Sequence, residues 1–154
     1  MPTNARILQI NISSGGVPKL PIESAEITRL GITGDAHRFS LHGGSSKALL
    51  LMASEFIDTL KHEGFPVFYG ALGENITTLG LDHHLWQPGQ QFRSGPIVIE
   101  LTTPREPCKT LNPYGKGIQK RLQAAPGESG FYARVLTGGN LLANAIIEAV
   151  ERIS

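Results

Sequence analysis

Three short stretches of this chain carry the side chains best suited to chemistry. The first is Gly31-Ile32-Thr33-Gly34-Asp35-Ala36-His37, followed by His42-Gly43-Gly44 and Lys47. Its glycines let backbone N–H groups approach an anion closely, and Lys47 and His37 can supply positive charge. Asp35 can orient a histidine ring by accepting its N–H. Asp35, His37 and His42 also admit a metal site, although their spacing matches none of the strong signatures. The plain alternative is a turn-rich loop whose polar groups satisfy one another. The second stretch is Gly70-Ala71-Leu72-Gly73-Glu74-Asn75-Ile76-Thr77-Thr78. Here Glu74 and Asn75 stand where a loop enters a strand, a usual place for ligand-binding groups. A hydrogen-bonded loop-to-strand corner would have the same composition. The third stretch is Pro104-Arg105-Glu106-Pro107-Cys108-Lys109-Thr110-Leu111-Asn112. Two prolines pin the backbone around Cys108, and Arg105 and Lys109 flank it. Neighbouring cations favour the thiolate, the form that ligates soft metals or attacks electrophiles. A lone cysteine can equally be a small buried hydrophobe. His83-His84, in a turn ahead of Trp86, is expected to face solvent.

The elements that must position these stretches are short. Residues 6–12, 24–30, 47–52, 75–79, 91–93, 97–102 and 131–136 read as strands, from their alternation or from unbroken apolar runs. Ser94-Gly95-Pro96 between two of them is a hairpin signature. Residues 54–63 place Phe56, Ile57 and Leu60 on one face and end at Gly64 and Pro66, which predicts a helix of about three turns. Residues 118–125 predict a second short helix, and residues 104–113, with three prolines, a constrained loop. Thr137-Gly138-Gly139-Asn140 reads as a turn. A last strand is expected from near Ala145. Many short strands with turns every 8–12 residues predict a mainly β fold, a closed or nearly closed β-barrel with one to three small helices.

Composition narrows the function classes. At 154 residues the chain is the length of one domain, and no repeat or linker divides residues 1–154. Fourteen Lys and Arg against thirteen Asp and Glu leave a net charge of +1. That balance argues against nucleic acid or an anionic membrane as partner. With a single cysteine there is no internal disulfide, no iron–sulfur cluster and no Cys-rich zinc site. The first residues lack the pattern of a signal peptide and no run approaches a membrane span, so the expected compartment is the cytoplasm. No dinucleotide fingerprint, phosphate-binding P-loop, His-Glu-x-x-His or Gly-x-Ser-x-Gly occurs.

Taken together, the clusters resemble the MOSC family, the fold shared with the C-terminal domain of molybdenum cofactor sulfurase. The resemblance runs through Gly34-Asp35-Ala36-His37, His42-Gly43-Gly44, Gly70–Thr77, Pro104-Arg105-Glu106-Pro107-Cys108 and Gly130-Phe131-Tyr132-Ala133-Arg134-Val135. It is nearest to the small stand-alone bacterial members, which include hydroxylaminopurine-resistance proteins. The resemblance implies a β-barrel-type fold and a molybdenum cofactor (molybdopterin), with Cys108 as the ligand to molybdenum. It implies an oxidoreductase that reduces N-hydroxylated compounds. Lys47, Asn75, Arg105 and Arg134 would then bind cofactor, Arg through its planar fork of donors, and His37 and Glu74 would serve as hydrogen-bonding or proton-transfer groups. The rival role within the family is sulfur transfer or cofactor carriage, with Cys108 bearing a persulfide. The expected partners are a small N-hydroxylated substrate and a separate reductase or electron-transfer protein. Larger relatives carry an additional N-terminal β-barrel domain not seen in this sequence, which implies a more open pocket or one completed in a homodimer. Where relatives often have Gly-Asp before the last strand, this chain has Ala143-Asn144.

Overall fold

The computed structural model describes residues 4–36, 45–107 and 109–151. In chain order the elements are β1 (Arg6–Ile12), β2 (Leu20–Ile22), β3 (Ser24–Thr28), β4 (Gly31–Ile32), β5 (Leu49–Ala53), α1 (Ser54–His62) and β6 (Ile76–Leu79). There follow β7 (Gln91–Ser94), β8 (Ile97–Pro104), α2 (Ile118–Gln123), β9 (Phe131–Thr137), β10 (Gly139–Leu142) and β11 (Glu148–Ala149). Short 3-10 turns precede β5, follow β6 and lead into α2.

Eight strands form one sheet in the order β11-β7-β8-β9-β5-β6-β1-β2, and β10-β3-β4 form a second. Neighbours in the large sheet are antiparallel except β5 and β6. A parallel pair needs a crossover, and α1 with the loop through residue 75 supplies it. The side chains of Leu49, Leu51, Phe131, Ala133, Ile99 and Leu101 pack with Ile27 and Leu141 of the small sheet into one core. On the opposite face Met52 packs with Phe56, Ile57 and Leu60 of α1 and with Ile118 and Leu122 of α2. Strand β5 is thus buried on both faces, which is why its sequence is apolar without a break.

The mainly β expectation holds as two sheets with two helices, and no closed barrel is found among the described residues. The C-terminal segment bonds to β1 on one side and β7 on the other, and Arg6 and Ile146 form a bridge. Ala145 accepts from the Ile7 amide at 2.8 Å, Asn144 donates to the Ile7 carbonyl at 2.7 Å, and β11 pairs only Glu148 and Ala149 with β7. The turn expected at residues 137–140 is also absent. The chain passes from β9 through Gly138 alone into β10, changing sheets. A Cβ at Gly138 would run into the Ile27 carbonyl oxygen, so only glycine lets the two sheets meet there. The departure at Ala143-Asn144 has a local solution, because Asn144 takes φ +67°, which asparagine tolerates better than most residues. Among the described residues no helix is long and apolar enough to cross a membrane.

Candidate functional site

A buried polar network joins the ends of β1, β5 and β6. The Asp35 carboxylate accepts from Lys19 Nζ at 2.6 Å, from the Ser13 amide at 2.9 Å and from Asn75 Nδ2 at 2.8 Å. Asn75 is almost fully buried; its Oδ1 accepts from the Leu50 amide at 3.0 Å, and its Nδ2 also donates to the Asn11 carbonyl at 3.3 Å. Asn11 is wholly buried in β1 and donates through Nδ2 to the Glu74 carbonyl and to Thr77 Oγ1, both at 3.1 Å. Asn75 therefore has both amide hydrogens committed to protein acceptors. It locks a corner rather than presenting a free amide.

Glu74 is the unusual member. Its Oε2 accepts from the Gly70 amide and from Thr77 Oγ1, each at 2.9 Å, while its buried Oε1 has no hydrogen-bond partner. Burial raises its pKa above the ordinary 4.5, against the opposing pull of the Gly70 and Thr77 hydrogen bonds and the Arg105 charge. The turn that carries Glu74 depends on Gly70. That residue has φ +97°, and a Cβ on it would collide with the Lys19 carbonyl oxygen.

Arg105 reaches the same turn from the end of β8. Its Nε donates to the Ser129 carbonyl at 2.8 Å, one terminal nitrogen donates to the Leu72 carbonyl, and the other lies 3.1 Å from Met52 Sδ. Each guanidinium nitrogen thus has a partner inside the fold, and the side chain is buried. This is a brace, with the geometry to hold the loop that leads to Cys108. At Pro107, the residue before Cys108, the carbonyl accepts from Gln119 Nε2 of α2 at 3.4 Å.

Lys47 and Arg134 do not join this network. Lys47 Nζ lies 5.1 Å from the centre of the Tyr132 ring, and Arg134 Nε lies 3.6 Å from Glu100 Oε1. Tyr132 and Arg134 are two residues apart on β9 and so point to one face. Tyr132 is paired with Leu50, which puts that face on the same side of the sheet as Leu50 and Met52. Arg105 touches the Met52 side chain, so Arg105, Tyr132 and Arg134 lie on the same side of the large sheet, opposite the main core.

Cys108 and His37 lie outside the described residues, as does His42. Both segments nonetheless leave from fixed points three residues apart. Asp35 is tied to Asn75, and Arg105 to Leu72. The expectation that His83 faces solvent is corrected. It is 8% exposed, its ring packs near Phe56 and Trp86, and only His84 is open to solvent. The sequence reading also missed Lys19, Asn11 and Thr77. Asn11 carried a signal, a polar side chain between Ile10 and Ile12 of β1; Lys19, in a loop, carried none.

A family model described as the MOSC domain matches residues 38–149. The chain belongs to the MOSC family. The Protein YiiM of Escherichia coli (strain K12) is 33% identical over 139 residues, 83% of this chain and 60% of that one. The uncharacterized protein YflK of Bacillus subtilis (strain 168) is 32% identical over 142 residues, 89% of this chain and 64% of that one. This MOSC chain therefore spans about three-fifths of the length of these relatives. A protein named Reductase from Gibberella moniliformis (strain M3125 / FGSC 7600) is 28% identical over 130 residues, covering 79% of this chain and 23% of its own length. Among solved structures, YiiM from Geobacillus stearothermophilus superposes with a TM-score of 0.77 at 28% identity, over 96% of this chain and 76% of that one.

Proposed function

We propose that this MOSC chain binds the molybdenum cofactor and reduces N–O bonds of N-hydroxylated small molecules, with Cys108 as the protein ligand to molybdenum. The observation that carries this reading is the buried frame itself. The segments that bear His37 and Cys108 are anchored at Asp35 and Arg105 to one turn, residues 70–75, beside an unpartnered carboxylate oxygen. The family and the relative named as a reductase support it. The residues present suit such a group. A thiolate from Cys108 is a soft donor for the metal, and the exposed, basic Arg134 with Lys47 suits an anionic pterin phosphate. When bound, the cofactor supplies a two-electron redox centre able to accept an oxo group.

The chain's own part is positioning and proton supply. Arg105 and Asn75 are engaged by buried protein partners, so in this reading their part is to fix the loops. Reduction of R–NH–OH to R–NH2 and water consumes two electrons and two protons. Glu74 is a carboxyl biased by burial toward its protonated form, and in this reading it is the group that holds a proton for the reaction.

Metal analysis tests the reading. Protein purified from a host that makes the cofactor should contain stoichiometric molybdenum, and Cys108→Ala should lose it while keeping the thermal midpoint of the cofactor-free wild type. A mutant that keeps its molybdenum overturns Cys108 as ligand. Sulfane sulfur on the protein without molybdenum overturns the reductase reading in favour of sulfur transfer.

A further inference from the structure

The geometry points to a second site, for a divalent ion of the zinc class, made by His83, His84 and Glu128. His83 Nε2 and His84 Nδ1 each lie 3.1 Å from the same carboxylate oxygen, Glu128 Oε1. The three ligand atoms fall within 4.8 Å of one another. Nitrogen and oxygen ligands about 2.0–2.2 Å from a tetrahedral zinc lie about 3.3 Å apart, so the observed separations need only small shifts to admit an ion. Two neutral imidazoles and one carboxylate are a donor set that zinc favours, and the fourth position is open to water because His84 is exposed.

Two features prepare the site. The His83 ring is held between Phe56 and Trp86, with ring centres 6.4 and 6.2 Å away. The turn that sets the two histidines side by side is capped by Asp82, whose carboxylate accepts from the His84 amide at 3.3 Å. One feature opposes it: the positive charge of Arg121 lies close enough to feel Glu128. That charge is already matched, since Arg121 forks onto Glu63 at 2.7 and 3.0 Å. Glu128 directly precedes Ser129 and Gly130, whose carbonyls hold the Arg105 side chain and amide. An ion here would tie the turn after β6 to the segment that braces Arg105.

The test is titration of zinc chloride into chelator-treated full chain carrying Cys108→Ser, so that the thiol does not compete for the metal. Calorimetry should show one ion per chain and a raised thermal midpoint, because a ligand that binds only the folded state stabilises it. His84→Ala and Glu128→Gln should each weaken binding at least tenfold while leaving the metal-free midpoint unchanged. Wild-type zinc affinity in both variants overturns the site, as does the absence of saturable binding in the Cys108→Ser chain.

Discussion

At the scale of single residues, Glu74 is the group whose physics departs furthest from its type. One oxygen is bonded, the other is buried and unpartnered, and its folded pKa is raised by burial. Through the window from the ordinary 4.5 up to that raised value, the unfolded chain is ionised while the folded chain keeps the proton. Folding therefore takes up a proton, and stability falls as pH climbs through the window. Glu74→Gln removes the titration. Urea unfolding at about pH 5 and about pH 8 should show the wild type losing more stability between the two than Glu74→Gln does. Equal losses would mean that Glu74 is ionised in the folded chain across this range. Glu74→Ala is a different case: it strips the acceptor from the Gly70 amide and the Thr77 hydroxyl, and should cost about 1–3 kcal/mol at either pH.

Among the elements, the ends of β1, β5 and β6 are held together by the Lys19–Asp35 ion pair and its hydrogen bonds, with both side chains largely buried. Asp35→Asn leaves the Lys19 ammonium buried without its counter-charge, and should destabilise the fold by about 3–5 kcal/mol, as read from chemical denaturation. The double variant Asp35→Asn with Lys19→Met should recover much of that loss, since the charge is then gone as well. No recovery would show that the hydrogen bonds of Asp35, and not the charge, dominate. Most of these elements could be read in the sequence. β1 begins and ends at Arg6 and Ile12 as expected, because an apolar run bounded by Ser13-Ser14-Gly15-Gly16 has no other way to bury itself. α1 follows from the spacing of Phe56, Ile57 and Leu60. What failed were features fixed by distant partners. Gly138-Gly139 has the local composition of a turn, yet the approach of β3 decides its conformation. His83 has the polarity of a surface residue, yet Phe56, Trp86 and Glu128 enclose it. The same limit applies to the candidate site. Glu74, Asn75 and Arg105 could be picked out by type, but their buried partners come from three chain segments that meet only in the fold.

For the molecule as a whole, the question raised by the proposed chemistry is where electrons come from. Each N–O bond reduced consumes two electrons, so the redox centre must be reset at every turnover. This chain has one cysteine, too few for an iron–sulfur cluster, and it shows no dinucleotide fingerprint through which to bind a nicotinamide or flavin. The molybdenum-loaded chain should therefore consume a hydroxylaminopurine with a reduced viologen dye as donor and stay inert with NADH or NADPH alone. Adding a separate reductase should restore turnover with the nicotinamide donor. Under proposed N–O reduction the stoichiometry is two viologen equivalents per product, which separates coupled turnover from dye bleaching. Sustained turnover with NADPH and no second protein would overturn the partner requirement, while loaded protein inactive with every donor would argue that the bound cofactor is cargo.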